Sequence, residues 1–279
     1  MMLSDIVRQC EYRFGIRVIK PWAHEGRSRV FLATRADEDL VLKIAINTTE
    51  AMREIRALEA FSHHGAIGLI DYDEKLSALI LQRAVPGYPL SSISDDDRAT
   101  AIFCAVFQQL HLRPITGPHE SIQKHVSAIA QYLQQSAPQG PLPEAWVARA
   151  FAYLNELIAS TSDSVLLHGD LHHTNILRHQ GDWIVIDPKG ILGDLHFDVI
   201  AYLLNFPTRQ GDAETVLSRR MAMLAERLGL QQERIAMWGV AKGILDACWA
   251  LEEGSDWQSG LHTAERFERW LAHSSRSQH

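Results

Sequence analysis

Residues Val165 to Asp187 form two short apolar runs around a glycine-containing turn, in a half of the chain whose apolar residues otherwise recur with a helical period. The turn is Gln180-Gly181-Asp182, and a second apolar run, Trp183 to Ile186, follows it. This pattern predicts a tight β-hairpin set among helices. It makes α+β the predicted fold class.

The first 85 or so residues have a β-rich rhythm, with short β-branched runs separated by turn-forming residues. Successive hairpins, and hence an antiparallel sheet, are the simplest interpretation. The predicted strands are Arg17 to Lys20, Arg29 to Ala33, Leu40 to Ala45, Ile67 to Asp71 and Ala78 to Gln82. Asn47 followed by Glu50 resembles an N-cap with its reciprocal partner and predicts one helix, which runs to about Ser62.

The predicted domain boundary lies after residue 85. The prolines and glycine of residues 86–89 and the acidic residues 94–97 suit the continuation of neither a strand nor a helix. Residues 1–85 would form a small β-rich domain, and residues 86–279 a larger, mostly helical one. The predicted helices of the second domain are 99–112, 122–134, 144–159, 213–228, 233–253 and 263–272.

Composition excludes several classes of protein. With 279 residues, of which 46% are hydrophobic, the chain can bury a core without disulfides or a structural metal. A net charge of −7 without a basic cluster argues against a nucleic-acid partner. No apolar run approaches the roughly 20 residues of a membrane span, and no signal-peptide core is present, so a cytoplasmic location is expected. The three cysteines are too far apart for a zinc or disulfide pattern and are expected to be buried.

Three oxygen-bearing side chains mark the hairpin as the chemical centre. Asp170 and Asn175 lie on one loop, and Asp187 ends the return strand, so we expect all three to converge at one end of the hairpin. Phosphoryl transfer requires a carboxylate that positions and deprotonates the attacking hydroxyl, and hard oxygen ligands for Mg²⁺. Asp170 is therefore the predicted base, and Asn175 and Asp187 the predicted Mg²⁺ ligands. The structural alternative is that these residues only cap a turn and end a strand.

The same segment resembles a known family. Its loop reads Leu-His-Gly-Asp-Leu-His-His-Thr-Asn-Ile-Leu, and its return strand continues as Trp-Ile-Val-Ile-Asp-Pro-Lys-Gly. These motifs resemble the aminoglycoside phosphotransferase branch of the protein-kinase-like superfamily, and most of all its streptomycin 6-phosphotransferase and hydroxyurea phosphotransferase group. The resemblance implies a bilobal fold, with a nucleotide-binding lobe over residues 1–85 and the catalytic loop and acceptor site within residues 86–279. It also implies ATP or GTP as phosphate donor.

The family further implies a lysine in the third strand, held by a glutamate of the next helix. Lys43 stands in the third strand, and Glu54 shares an apolar helix stripe with Ala51, Leu58 and Phe61, so that it should point inward and pair with Lys43. The phosphate-binding loop should be residues 24–28, with Gly26 and Ser28 as phosphate contacts; an ordinary hairpin turn is the alternative. The predicted adenine-binding connector comprises Gln82, Arg83 and Ala84.

A small-molecule acceptor is expected, because Pro188-Lys189 replaces the Phe-Gly of protein kinases and no Ala-Pro-Glu segment follows. Acidic and tryptophan side chains near the end of the helix 233–253 would suit a cationic acceptor such as streptomycin, which carries guanidinium groups. The predicted acceptor residues are Asp246, Trp249, Glu252 and Glu253. A solvated helix end is the alternative.

The sequence leaves several hypotheses about the acceptor and the function open. The acceptor could instead be hydroxyurea, a fructosamine-type sugar or an amino alcohol, and a nucleotide-binding regulator without transfer activity is the alternative from another class. A zinc site made by His168, His172, His173 and His179 is disfavoured, because no cysteine or fixed helical spacing accompanies them. Asp198 is expected to brace the catalytic loop. The sequence leaves monomer and homodimer both open.

Overall fold

A computed structural model describes residues 2–22, 28–112, 118–124, 140–205 and 211–276. They form two compact units, each assembled from separate stretches of chain. The first unit contains the described residues within Met1–Ser92, Val106–Ile115 and Thr174–Gly190. The second contains those within Ile93–Ala105, Thr116–His173 and Ile191–His279. The division after residue 85 stays a prediction, and the hairpin that carries Asn175 and Asp187 clusters with the N-terminal residues.

A five-stranded antiparallel sheet is the frame of the first unit. Its spatial order is β1-β2-β3-β5-β4, so that β3 is central. Each of the five predicted strands is present; β5 has the predicted ends, and the ends of the other four differ from the prediction by up to two residues. The strands are β1 (Arg17–Trp22), β2 (Arg29–Arg35), β3 (Glu38–Ile44), β4 (Leu69–Asp73) and β5 (Ala78–Gln82).

Alternation along β3 separates the two faces of this sheet. Leu40, Leu42 and Ile44 pack on one side against Cys10 and Phe14 of helix α1 (Leu3–Phe14). The other face is covered by α2 (Thr48–Ala60), which buries a second apolar cluster. Helix α1 was not predicted, although Ile6, Val7, Cys10 and Phe14 recur with a helical period and pack on the same cluster.

Helix α2 begins where the sequence predicts. Asn47 caps the helix, since its side-chain oxygen accepts a hydrogen bond from the backbone N–H of Glu50 at 2.9 Å. The predicted inward stripe is present, with Ala51, Glu54, Leu58 and Phe61 all buried. Because side chains alternate along a strand, Lys43 lies on the opposite side of β3 from Leu42, and this is the side on which α2 packs.

The predicted catalytic hairpin is present and belongs to a second, three-stranded sheet of the first unit. Strand β9 (Ile176–His179) pairs antiparallel with β10 (Asp182–Val185), and β6 (Pro86–Pro89) pairs with the free side of β9. Residues 86–89 were predicted to suit no strand, and this was wrong. They form a short edge strand, a position where the missing N–H groups of proline are tolerated.

Helices dominate the second unit, with a small sheet between them. Strand β11 (Ile191–Gly193) runs between β7 (Glu120–Ser121) and β8 (Val165–Leu167). These strands are too short to leave a period in the sequence, and they were not predicted. The helices are α3 (Asp96–Leu110), whose last residues belong to the first unit, α4 (Glu144–Ala159), α5 (Ile200–Leu204), α6 (Ala213–Leu228), α7 (Gln232–Glu253) and α8 (Gln258–Arg276).

Most helix predictions for this unit hold. Helices α4 and α6 have the predicted ends, α7 begins one residue early, and α8 is longer at both ends than the predicted 263–272. Residues 125–134 of the predicted helix 122–134 lie outside the described residues. No helix in the described part of the chain combines the length and apolar character needed to cross a membrane.

The three cysteines are free thiols buried among apolar side chains, as predicted. Burial raises the pKa of Cys10 and Cys104 to about 11 each and that of Cys248 to about 12. All three thiols are therefore protonated at neutral pH.

Candidate active site

Lys43 lies between two carboxylates of the first unit. Its Nζ is 2.7 Å from the carboxylate of Glu54 and 2.6 Å from Oδ1 of Asp187. The predicted pair of Lys43 and Glu54 is thus present. Strand β3 supplies the lysine, α2 supplies the glutamate, and the residue after the hairpin supplies the aspartate. Because an ammonium held by two carboxylates has a fixed position, this arrangement can present a positive charge to a phosphate.

The ionisation of this cluster follows from burial and pairing together. Burial alone would lower the pKa of Lys43, but Glu54 and Asp187 outweigh that effect and raise the pKa above its ordinary value. Burial alone would raise the pKa of Asp187, yet the ammonium groups of Lys43 and Lys189 hold it well below its usual range. Burial also raises the pKa of Glu54, and Lys43 opposes this. Lys43 and Asp187 are therefore charged at neutral pH.

Asn175 and Asp187 lie at the same end of the catalytic hairpin. The backbone carbonyl of Asn175 accepts a hydrogen bond from the N–H of Ile186 at 3.0 Å, which extends the ladder of β9 and β10 by one step. Asn175 is buried, and the side chain of Asp187 is 34% exposed. An amide and an ionised carboxylate are hard oxygen donors, and two such ligands, with phosphate and water oxygens completing the shell, fit Mg²⁺. Their role as ligands stays a prediction.

The backbone around Asp187 has an uncommon conformation at two positions. Asp187 has φ 59° and Gly190 has φ 62°, so the segment turns through the left-handed region twice within four residues. A Cβ atom added at Gly190 would lie 2.8 Å from the Cβ of Ala57 in α2. The segment thus fits closely against the helix that carries Glu54, and this fit helps to keep Asp187 beside Lys43.

The catalytic loop of the second unit is held by Asp198. One oxygen of Asp198 accepts a hydrogen bond from the backbone N–H of His168 at 2.9 Å, and the other accepts one from Gly169 at 2.6 Å. Asp198 is 1% exposed. The prediction that Asp198 braces this loop is confirmed. The loop therefore presents Asp170 from a backbone that is fixed by charge-assisted hydrogen bonds.

The side chain of Asp170 is 39% exposed, and its Oδ2 lies 3.6 Å from Nε2 of His172. The backbone N–H of Asp170 donates to Nδ1 of the buried His168 at 3.3 Å. Asp170 belongs to the second unit, whereas Asn175 and Asp187 belong to the first. That all three share one site stays a prediction, as does the role of Asp170 as base.

The loop histidines each have a role in packing or hydrogen bonding. His173 is buried and stacks on Tyr202 with ring centroids 4.2 Å apart. Nδ1 of His179 accepts a hydrogen bond from the backbone N–H of Val85 at 3.2 Å. Within the described residues, no group of three or more His, Cys, Asp or Glu side chains is arranged to hold a metal ion.

The predicted nucleotide-binding residues are only partly described. Gly26 and its neighbours in residues 24–27 lie outside the described residues, and Ser28 is half-buried. In the connector, the backbone N–H of Gln82 donates to the carbonyl of Gly68 at 2.8 Å, and the Arg83 guanidinium pairs with Asp39. The backbone groups of Arg83 and Ala84 therefore remain the better candidates for contacting a nucleobase.

The predicted acceptor residues lie at the C-terminal end of α7. Lys242, which the sequence interpretation overlooked, donates to both carboxylate oxygens of Asp246, at 2.5 and 2.7 Å, and lies over the ring of Trp249, 5.9 Å from its centroid. Glu252 and Glu253 are exposed. Lys242 therefore neutralises part of the acidic cluster. Binding of an acceptor there stays a prediction.

Two further groups were missed by the sequence interpretation. Lys189 places its Nζ 2.9 Å from Oδ2 of Asp187. Asp194 is buried and accepts hydrogen bonds from His196, Arg234 and Trp238. The closeness of Lys189 to Asp187 along the chain was a usable signal. Asp194 gave none, because two of its partners are 40 and 44 residues away.

Comparisons with known proteins show the family to which the chain belongs. A profile of the family described as aminoglycoside/hydroxyurea antibiotic resistance kinases matches residues 13–254. The chain belongs to this family. Its members are kinases that phosphorylate hydroxyl groups of small molecules, so the protein is a phosphotransferase rather than a binding module.

Individual relatives of the family cover most of the chain. The protein is 30% identical to the streptomycin 6-kinase of Streptomyces griseus over 263 residues, which are 90% of this chain and 84% of the relative. It is 29% identical to the hydroxyurea phosphotransferase of Kitasatospora aureofaciens over 250 residues, 87% of this chain and 71% of the relative.

Solved structures show the same fold at lower identity. A choline kinase from Streptococcus pneumoniae superposes with a TM-score of 0.72 at 16% identity, covering 96% of this chain and 98% of that one. The aminoglycoside phosphotransferase APH(4)-Ia, in a ternary complex with ADP and hygromycin B, gives a TM-score of 0.67 at 16% identity, covering 94% and 96%. The predicted protein-kinase-like α+β fold is confirmed.

Proposed function

We propose that the protein transfers the γ-phosphate of ATP to a hydroxyl group of an aminoglycoside, with the 6-position of streptomycin as the first candidate. The observation that carries the proposal is the ammonium of Lys43, held between Glu54 and Asp187. A buried charge fixed in this way suits a phosphate donor better than it suits a purely structural role. A streptomycin 6-kinase that is 30% identical over 90% of the chain supports the acceptor.

Each residue has a separate task in the proposed reaction. Lys43 contacts the α- and β-phosphates, and its tie to Glu54 keeps the ammonium in place. Oxygen atoms of Asn175 and Asp187 hold Mg²⁺, which when bound neutralises charge on the β- and γ-phosphates. Asp170 orients the acceptor hydroxyl and accepts its proton. Backbone groups of the connector, at Arg83 and Ala84, contact the base, and Gly26 and Ser28 contact phosphate.

The acceptor is proposed to meet the acidic end of α7. Asp246 and Trp249 would take a guanidinium group, with Glu252 and Glu253 adding negative charge. Lys242 competes for the same carboxylate, so a cationic acceptor would have to replace it there. We further propose that the protein acts in the cytoplasm, where ATP and Mg²⁺ are available, and that its role is antibiotic resistance.

The test is mass spectrometry of streptomycin after incubation with protein, ATP and Mg²⁺. We expect a gain of one phosphate. Asp170→Ala should lower kcat by about 10² to 10⁴, the range typical of a positioned general base. Asp163→Ala removes an exposed carboxylate upstream and serves as control. Near-full turnover by the Asp170 variant would refute its role.

Hydroxyurea is the second candidate acceptor, because the chain is almost as similar to a hydroxyurea phosphotransferase as to a streptomycin kinase. It carries no guanidinium group, so it would make no use of the acidic residues of α7. Assays of both compounds under identical conditions separate the two. Phosphorylation of hydroxyurea alone would also contradict the proposed role of Asp246.

A further inference from the structure

Asp187 is paired with two ammonium groups that differ in burial and in their other partners. Lys43 contacts Oδ1, is 9% exposed, and is fixed by Glu54 as well. Lys189 contacts Oδ2 and is 48% exposed. Since an exposed ion pair contributes little to stability, Lys189 can leave Oδ2 for water at a small cost in free energy. Lys43 cannot, because it would leave the buried carboxylate of Glu54 without its ammonium partner.

The backbone of this segment restricts which parts can move. Asp187 and Gly190 both lie in the left-handed region, and Gly190 fits against Ala57 of α2 with no room for a side chain. A shift of the backbone would disturb that contact. The side chain of Lys189 is therefore the mobile partner, and the carboxylate of Asp187 is the fixed one.

We propose that Lys189 is a positioning residue that acts as a releasable counter-ion of Asp187, occupying Oδ2 until a divalent cation takes that oxygen. The inference rests on the proposed function, in which Asp187 is a metal ligand. An ammonium and a divalent cation at one carboxylate repel each other, so Lys189 weakens metal binding to the protein alone. The negative charge of bound phosphates offsets this repulsion. Metal and nucleotide therefore bind cooperatively.

Mn²⁺ binding to the nucleotide-free protein, followed by electron paramagnetic resonance of the free ion, tests the inference without any catalytic readout. Lys189→Met should lower the Kd for Mn²⁺ by about tenfold, because one like charge near the ion is removed. Lys189→Gln should do the same. Lys189→Arg keeps the charge and should change the Kd by less than about twofold. With a non-hydrolysable ATP analogue present, the difference in the Kd for Mn²⁺ between Lys189→Met and the parent protein should become smaller.

Two controls make the outcomes distinct. Lys75→Met removes an exposed positive charge from the turn between β4 and β5 and should leave the Kd unchanged. Asp187→Asn in the Lys189→Met background should abolish the tightened binding. Unchanged or weaker Mn²⁺ binding in both Lys189→Met and Lys189→Gln overturns the inference. If Asp187→Asn still abolishes binding in that case, the metal role of Asp187 stands. Tight Mn²⁺ binding that survives Asp187→Asn refutes both the inference about Lys189 and the metal role of Asp187.

Discussion

At the scale of single residues, Lys43 is the centre of a cluster of charged side chains. The ammonium belongs to an apolar strand and has two carboxylate partners, one from a neighbouring helix and one from the residue after the hairpin. Glu54 is buried, while Glu59 of the same helix is exposed. The contrast between these two glutamates provides a test in which helix, charge and residue type are all matched.

Glu54→Gln keeps the shape of the side chain and removes its charge. We expect kcat/KM for ATP to fall by about tenfold or more, because Lys43 loses the attraction of the Glu54 carboxylate and is drawn toward Asp187. Glu59→Gln should leave kcat/KM unchanged. Steady-state kinetics at varied ATP measures both. Equal losses in the two variants would mean that Glu54 acts only through general stability.

At the scale of elements, the contact of the Asp187 segment with α2 determines where the carboxylate lies. Gly190 has φ 62° and faces Ala57, whereas Gly181, in the turn between β9 and β10, has φ 96° and has no atom within 4 Å of an added Cβ. Both glycines adopt a backbone conformation that other residues reach with strain. Only Gly190 adds a steric conflict with a helix.

Gly190→Ala should therefore destabilise the protein more than Gly181→Ala. We expect about 1 kcal/mol for the backbone strain in each variant, and a further 1–3 kcal/mol for the overpacking against α2 in Gly190→Ala. Urea unfolding gives both free energies. Equal free energies of unfolding would show that α2 shifts freely to accept the methyl group.

The sequence was informative where structure is local and periodic. The hairpin, the five strands and the inward position of Glu54 left apolar patterns, and the cap at Asn47 left a pair of residue types three positions apart. The partnership of Lys189 with Asp187 depends on a left-handed turn that no period records. Helix α1 carries a helical period at Ile6, Val7, Cys10 and Phe14 and could have been predicted, whereas strands β7, β8 and β11, of two or three residues each, carry no period.

At the scale of the whole molecule, the buried carboxylate of Asp194 joins segments that are far apart in the chain. Asp194 links the helical turn that contains His196 to Arg234 and Trp238 of α7. Burial would raise the pKa of Asp194, but hydrogen bonds from His196 and Trp238 hold it well below its ordinary value. Arg234 also donates to the carbonyl of Leu157 at 2.9 Å, so the network joins α7 to α4.

This network gives the stability a pH dependence of known sign. As pH falls below about 5, the unfolded chain binds protons at Asp194 more readily than the folded protein does, so the free energy of unfolding decreases. Asp194→Asn should remove more than about 1 kcal/mol of that decrease between pH 6 and pH 3. At pH 7 it should cost about 3 kcal/mol, because the half-buried Arg234 loses the carboxylate that balances its charge.

Urea unfolding of both proteins across this pH range measures the effect. Asp163→Asn, at an exposed site, is the control and should behave as the parent protein does. A curve for Asp194→Asn that parallels the parent curve throughout would rule out Asp194 as a source of the acid sensitivity.

The first unit is built from separate stretches of the chain, and this limits how the chain can be cut or rearranged. Its five-stranded sheet comes from residues before Ser92, but Thr174–Gly190 supply two of the three strands of its second sheet, together with Asn175 and Asp187. A gene truncated near residue 92 would encode the lysine and glutamate of the cluster without their aspartate, and would leave Leu79 and Leu81 without the covering Ile184. Split-protein reporters and domain exchanges between relatives should therefore transfer Thr174–Gly190 together with the N-terminal segment.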